Sequence, residues 1–219
     1  MSYLLEGVTL QGSARIDPTA RLCVWSEQRT LGIECPDGIG SSSVPEPVLI
    51  GDQVVIGGYA SVYEGAVLAP GVIVEDYCRV GPHSRIGRRT RLCYSSHISD
   101  SATIGSDCVI AGFVCDGAVV GDSCRIFGAL VHEQSQPHMD WWVVNESPPT
   151  IHDGTTIGWG AIIVGGISVG PNAYVAAGAI VTKDVPEGVI VTGVNKVTRR
   201  ESWLGRRLTA WVAHIRGRQ

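Results

Sequence analysis

The stretch that decides the fold is residues 50–110, IGDQVVIGGYASVYEGAVLAPGVIVEDYCRVGPHSRIGRRTRLCYSSHISDSATIGSDCVI. Every sixth residue in it is a branched aliphatic, at eleven successive positions. Short β-branched runs broken by glycine turns are typical of strands rather than helices. The eleven positions are Ile50, Ile56, Val62, Leu68, Val74, Val80, Ile86, Leu92, Ile98, Ile104 and Ile110.

The repeat continues beyond this stretch, with one slip of phase and one interruption. It restarts as Val114, Val120 and Ile126, and after the interruption it resumes with six more aliphatics, to give twenty hexads in all. A hexad with one large and one small inward residue predicts one flat side of a β-solenoid, and three sides make an 18-residue coil. Coils stack at about 4.8 Å, so the hexads predict an all-β prism of six to seven coils, roughly 30 Å long. The resumed positions are Ile151, Ile157, Ile163, Val169, Val175 and Val181, and the small inward positions include Cys78, Cys108 and Cys124.

Composition narrows the class of protein. The 219 residues carry a net charge of −4, which argues against a nucleic-acid partner. No apolar run approaches the roughly 20 residues of a membrane span, so a membrane partner is not expected. The seven cysteines contain no C-x-x-C pair, which argues against a disulfide framework or a bound metal and favours the reduced cytoplasm.

This hexad pattern resembles the left-handed parallel β-helix of the hexapeptide-repeat acyltransferases, over about residues 14–194. The resemblance implies the left-handed coil, a homotrimer, and acetyl-CoA or another acyl-CoA bound in a groove between neighbouring prisms. We expect one domain over residues 1–197, with loops at 27–47 and 132–149 inserted into it. The first loop is expected to be a mobile surface loop, and a role in walling a substrate pocket is the alternative.

The tail from residue 198 changes period. Thr198 with Glu201 three residues later is typical of a capping box, and an apolar stripe at helical spacing follows. We expect an amphipathic helix over 198–219 that covers the open end of the prism. A helix lying on a membrane surface is the alternative. The stripe consists of Trp203, Leu204, Leu208, Trp211, Val212 and Ile215.

The interruption at 132–149, HEQSQPHMDWWVVNESPP, is the strongest candidate for a functional segment. Long excursions from a compact repeat are usually functional. His132 lies six residues after Ile126, so the period predicts that it takes an inward position where an aliphatic would otherwise lie. Among the other polar and aromatic residues of the loop, His138, Trp141 and Trp142 are expected to contact an acceptor.

Two stretches carry a closer resemblance. IFGALVH (126–132), followed by a long loop and PPTIHDGTTIG (148–158), is similar to the xenobiotic and galactoside-type acetyltransferases, in which a histidine at the loop root is the general base. Residues 157–197, with AAGAIVTKDVP at 176–186, resemble the cofactor-binding stretch of that family. The resemblance implies that Trp159 and Ala177 flank the pantetheine, and that Thr182 and Lys183 meet the adenine and its 3′-phosphate. It also implies a second phosphate contact from Arg200. This chain departs from the family by placing Trp159 where a smaller residue is usual and GVNKV where Gly-Val-Pro is usual.

The leading hypothesis is an acyl-CoA-dependent N- or O-acyltransferase acting on a small sugar-like, nucleotide-sugar or natural-product acceptor. His132 would take the proton of the acceptor. Glu133 would orient the imidazole, although neighbouring residues on a strand point to opposite faces. A backbone N–H near Gly158 or Gly160 would stabilise the oxyanion.

Two other functions remain open from the sequence. A zinc enzyme resembling the γ-class carbonic anhydrases would use His97, His132 and His138 as ligands and keep one position for water. A non-catalytic solenoid scaffold would bind no CoA and would leave the polar loop unexplained.

Overall fold

The computed structural model describes residues 7–24, 45–135 and 146–199, and every element in these ranges is a β-strand. None of the described residues forms a helix long and apolar enough to span a membrane. The strands are two to four residues long and lie in three sheets, which we call faces A, B and C and in which all pairs but β25–β26 are parallel.

Each face is built from one strand of every coil. Face A contains β1 (Val8–Leu10), β4 (Val48–Ile50), β7 (Val67–Leu68), β10 (Arg85–Ile86), β13 (Thr103–Ile104), β16 (Val119–Val120), β19 (Thr150–Ile151) and β22 (Ser168–Val169). Face B contains β2 (Ala14–Ile16), β5 (Val54–Ile56), β8 (Ile73–Val74), β11 (Arg91–Leu92), β14 (Val109–Ile110), β17 (Arg125–Ile126), β20 (Thr156–Ile157), β23 (Tyr174–Val175), β25 (Val189–Thr192) and β26 (Lys196–Arg199). Face C contains β3 (Arg21–Val24), β6 (Ser61–Tyr63), β9 (Arg79–Val80), β12 (His97–Ile98), β15 (Phe113–Val114), β18 (Ala129–Val131), β21 (Ile162–Val164) and β24 (Ile180–Val181).

The chain visits the faces in the order A, B, C, so strands β1–β24 make eight coils. Three flat parallel sheets with six-residue sides are the geometry of the left-handed parallel β-helix, and the predicted fold class is confirmed. The structure has more than the six to seven coils counted from the hexads because residues 8–24 form a complete coil before the regular repeat.

The core consists of the hexad aliphatics and the small residues between them. All twenty aliphatics are buried, each with at most 2% of its surface exposed. Cys78, Cys108 and Cys124 are also buried and free, as their inward positions predict. Where an inward position is polar, its hydroxyl is satisfied locally: Ser84 donates to the Ser99 carbonyl at 2.8 Å and Thr90 to the Gly105 carbonyl at 2.7 Å.

Two successive coils have a shortened corner between faces B and C. Only four residues separate Ile110 from Val114, where other sides of the prism use six, and the following coil repeats this spacing. A Cβ on Gly112 would overlap the carbonyl oxygen of Gly128, so the tight approach of these two corners requires glycine.

The second shortened corner corrects the predicted position of His132. Leu130, four residues after Ile126, fills the inward position with 0% of its surface exposed. It pairs with Val114 on one side and Ile163 on the other. The prediction that His132 replaces an inward aliphatic is therefore wrong, because the phase slips a second time before the loop begins.

The described stack ends in a reversal of strand direction on face B. β25 pairs parallel to β23, but β26 returns antiparallel to β25, with Ile190 opposite Thr198 and Val189 opposite Arg199. Thr198 and Arg199 are thus strand residues, and the predicted helix is wrong for these two positions because their backbones pair with β25. The remainder of that predicted helix, residues 200–219, lies outside the described residues.

Candidate active site

The three edges of the prism are named by the faces they join. The AB and BC edges carry the corners within each coil, and the CA edge carries the passage from one coil to the next. Both insertions leave from the CA edge, one between β3 and β4 and the other between β18 and β19. The candidate site is therefore organised around this edge.

His132 lies on the CA edge, at the point where β18 gives way to the second insertion. Its side chain is half-buried, and its Nδ1 is the buried side-chain nitrogen or oxygen that has no hydrogen-bond partner among the residues the structure describes. Buried polar groups in folded proteins are nearly always paired, so an unpaired one needs a specific explanation. A ring nitrogen without a partner among the described residues is suited to binding a ligand or to transferring a proton.

Glu133 follows His132 and is exposed. A Cβ on Gly165, in the next coil, would lie 3.3 Å from the Cβ of Glu133 and 3.6 Å from its Oε2. The carboxylate therefore extends over Gly165. Its predicted role in orienting His132 stays a prediction.

Glu146 is a residue that the sequence reasoning did not select. Its carboxylate accepts hydrogen bonds from the backbone N–H groups of Gln134 at 2.7 Å and Ser135 at 2.5 Å, and from the Ser135 hydroxyl at 2.9 Å. Gln134 has a φ of 54°, and a left-handed residue of this kind lets successive N–H groups point at one anion. Desolvation opposes ionisation of Glu146, but these hydrogen bonds and the charge of His132 lower its pKa below the ordinary value. Glu146 thus joins the returning stem of the loop, residues 146–149, to the outgoing stem, residues 132–135.

Trp159 and Ala177 lie together on the BC edge, in successive coils. The N–H of Gly178 donates to the Trp159 carbonyl at 2.9 Å, and the Trp159 ring packs on Phe127 with centroids 5.8 Å apart. Trp159 keeps 67% of its surface exposed. A Cβ on Gly178 would meet no atom within 4 Å, so a narrow ligand has open space beside these residues.

The amides of Gly158 and Gly160 are both hydrogen-bonded. The N–H of Gly158 donates to the Val175 carbonyl at 2.8 Å, and that of Gly160 donates to the Phe127 carbonyl at 3.4 Å. These two amides are therefore not free to stabilise an oxyanion, and a donor elsewhere near Gly158 or Gly160 stays a prediction.

Thr182 and Lys183 lie on the CA edge at the end of the last coil, and both are exposed. Asn195 holds Thr182 through two hydrogen bonds, and a cavity of about 120 Å³ lies beside them. The residues lining it include Val181, Lys183, Asp184, Val185, Val191, Asn195 and Val197.

The structure therefore divides the predicted site residues between two edges. His132, Glu133, Thr182 and Lys183 share the CA edge, whereas Trp159 and Ala177 lie on the BC edge, with face C between them. His138, Trp141, Trp142 and Arg200 lie outside the described residues.

The predicted zinc ligands His97 and His132 are two coils apart. At about 4.8 Å per coil, this separates them by roughly 10 Å along the prism axis, whereas imidazoles that share one zinc ion each lie about 2 Å from it. The His97 ring instead packs on Phe113, with centroids 5.0 Å apart. Within the described ranges, no group of three or more His, Cys, Asp or Glu side chains is placed to hold a metal ion.

Comparison with known proteins adds to this geometry. A family model described as the hexapeptide repeat of succinyl-transferase matches residues 148–183, which contain all six strands of the last two coils, β19–β24. The chain is 27% identical over 195 residues to the bifunctional protein GlmU of Carboxydothermus hydrogenoformans, covering 73% of this chain and 43% of the relative. It is 28% identical over 205 residues to GlmU of Heliobacterium modesticaldum, covering 93% of this chain and 38% of the relative. The chain thus spans less than half the length of these relatives.

Two solved structures are also similar to the chain. Soybean serine acetyltransferase, solved as the apoenzyme, is 28% identical with a TM-score of 0.36, covering 52% of this chain and 39% of that one. PerB from Caulobacter crescentus, solved in complex with CoA and GDP-perosamine, is 16% identical with a TM-score of 0.26, covering 86% of this chain and 57% of that one.

Proposed function

We propose that this chain, which belongs to the hexapeptide-repeat proteins, transfers an acyl group from acyl-CoA to an amine or hydroxyl of a small acceptor. The observation that carries this proposal is the position of His132. It ends the coil that directly precedes the two coils matched by the succinyl-transferase repeat. A half-buried histidine, whose Nδ1 has no hydrogen-bond partner in the described part of the chain, thus adjoins the coils that resemble a CoA-binding stretch.

Acetyl-CoA is the expected donor, and the described residues fit an extended thioester. The exposed Trp159 and Ala177, with the open space beside Gly178, leave room for the thin pantetheine arm. The exposed Lys183 supplies a cation for the 3′-phosphate. Arg200 is part of the proposal as a second phosphate contact.

In the proposed reaction His132 accepts the proton of the acceptor while the acceptor nitrogen or oxygen attacks the thioester carbonyl. The new C–N or C–O bond forms, the C–S bond breaks, and the released thiolate takes the proton from the imidazolium. General-base catalysis of this kind contributes about 10²–10⁴-fold to the rate.

A homotrimer is part of the proposal. Face C separates the Trp159 edge from the His132 edge within one prism. A groove between two copies would bring the BC edge of one against the CA edge of its neighbour, and one acyl-CoA would then reach both sets of residues. The exposed Phe113, Ile162 and Ile180 on face C support burial against another surface.

The proposed acceptor is a small sugar-like, nucleotide-sugar or natural-product molecule in the cytoplasm. The loop residues His138, Trp141 and Trp142 would contact its flat face, since aromatic rings pack well against such surfaces.

The test combines binding with turnover. The chain is titrated with CoA and with dephospho-CoA by calorimetry, and acetyl-CoA consumption is followed by thiol release against a panel of amino sugars and sugar nucleotides. We expect CoA to bind more tightly than dephospho-CoA, and Lys183→Ala to reduce the difference. Lys196→Ala is the matched control, since these are the two lysines of the chain. Absence of CoA binding together with absence of turnover would overturn the proposal.

A further inference from the structure

The root of the second insertion is closed by one carboxylate. Glu146 lies on the returning stem and accepts three hydrogen bonds from Gln134 and Ser135 on the outgoing stem. The two stems are 12 and 11 residues apart along the chain at these bonds, so the contact closes the ring of the insertion. His132 lies two residues before the first of these donors.

The next coil also packs against the backbone on both sides of this contact. A Cβ on Gly165 would approach Glu133, and a Cβ on Gly166 would approach Ser147 at 2.5 Å. The pair of glycines therefore lets both stems lie directly on the next coil. Glu146 is held between this support and the outgoing stem, at the position where the chain leaves and re-enters the repeat.

The hydrogen bonds also favour the ionised form of Glu146. The pKa of Glu146 is lowered, against its desolvation, by the hydrogen bonds from Gln134 and Ser135 and by the charge of His132. The geometric connection runs through the backbone: Glu146 binds Gln134 and Ser135, the second and third residues after His132, whereas Glu133 extends over Gly165.

We propose that Glu146 is the positioning residue of His132: by binding the paired N–H groups of Gln134 and Ser135 it fixes the loop root and holds the imidazole in place. Only the kinetic test of this inference rests on the proposed acyl transfer. We call the contact of Glu146 with Gln134 and Ser135 the clamp. Because misplacing a catalytic group by about 1 Å can cost roughly 10²-fold in rate, loss of the clamp should lower turnover rather than weaken acyl-CoA binding.

The first arm of the test does not need activity. Hydrogen exchange of the Gln134 and Ser135 amides is measured in the whole chain. We expect protection in the wild type and in Glu146→Asp, and loss of protection in Glu146→Ala. Asp116→Asn, at the same edge one coil earlier, is the control and keeps the protection. Unchanged protection in Glu146→Ala would overturn the clamp.

The second arm is kinetic. We expect Glu146→Ala to lower kcat by about 10²-fold with the KM for acetyl-CoA within about twofold of wild type, and Glu146→Asp to restore most of the rate. A rise in KM with unchanged kcat would overturn the positioning role, and so would full activity of Glu146→Ala beside an inactive Glu133→Ala. If the exchange results hold but no acyl acceptor or donor gives turnover, the clamp stands and the proposed function fails.

Discussion

Asn195 and Thr182 bind each other through two hydrogen bonds at the C-terminal end of the described prism. The Thr182 N–H donates to Oδ1 of Asn195 at 2.8 Å, and Nδ2 of Asn195 donates to the Thr182 hydroxyl at 2.9 Å. Asn195 has a φ of 50°, in the left-handed region that proline cannot adopt. The asparagine in GVNKV therefore fixes the backbone beside Lys183 in a way that a proline at this position would not.

The first prediction separates the two roles of Asn195. Both Asn195→Gly and Asn195→Ala lose the hydrogen bonds, at about 1 kcal/mol each. The alanine variant should lose roughly a further 1 kcal/mol because it retains a Cβ at a positive φ. Thermal unfolding should thus rank wild type above glycine and glycine above alanine. Equal stability of the two variants would show that the left-handed backbone carries no strain.

The second prediction concerns the shortened corners. Gly112→Ala places a Cβ against the backbone of Gly128 and should lower the free energy of unfolding by more than about 3 kcal/mol, or prevent folding. Gly160→Ala is the matched control. Its Cβ would meet no atom within 4 Å, so its only cost is the backbone strain of an alanine at a φ of 64°. We expect the control to cost about 1–2 kcal/mol in urea titrations. Similar losses in both variants would contradict the close approach.

The third prediction is acid sensitivity at the AB edge. Asp52 accepts hydrogen bonds from the N–H and the hydroxyl of Ser13 in the neighbouring coil, and they lower its pKa from 3.8. Because the folded pKa is the lower one, this stabilisation is present above pH 3.8 and is lost as the pH falls through the folded pKa. The difference in unfolding free energy between pH 7 and pH 3 should therefore be smaller in Asp52→Asn than in wild type. An identical difference in the two proteins would count against the Ser13 contact.

The fourth prediction tests His132 itself. His132→Ala should lower turnover by about 10²–10⁴-fold while CoA affinity, measured by calorimetry, stays near wild type. His138→Ala in the same loop is the comparison. An inactive His138→Ala beside a nearly active His132→Ala would move the general base to His138. Activity in both variants would mean that the acceptor arrives deprotonated and that the enzyme acts by positioning.

The fold was predictable because a solenoid repeats one physical requirement, an aliphatic at every inward position. The slip after Ile110 was visible because Val114 restarts the period. The slip after Ile126 was missed because residues 127–131, FGALV, are nearly all apolar and none of them stands out. The available signal was the repeated glycine, since Ala111-Gly112-Phe113-Val114 and Phe127-Gly128-Ala129-Leu130 have the same form.

The site was less predictable because its contacts join residues that share no period. The candidate positions of His132 and Lys183 followed from a resemblance in the repeat that surrounds them. Glu146 contacts Gln134 and Ser135 through a turn whose direction depends on a single positive φ. The amides of Gly158 and Gly160 are committed to contacts between coils, which become visible only when neighbouring coils are stacked.

The reversed strand β26 changes which strands can pair with the exposed edge of face B. A parallel solenoid presents the same open strand edge after every coil, and such edges can pair with other chains end to end. On face B that edge is taken by an antiparallel strand, whose outer side offers hydrogen-bonding groups in the wrong direction for another coil of the same kind. In the described part of the chain, this hairpin of eleven residues, β25 and β26, therefore opposes end-to-end pairing of prisms at face B.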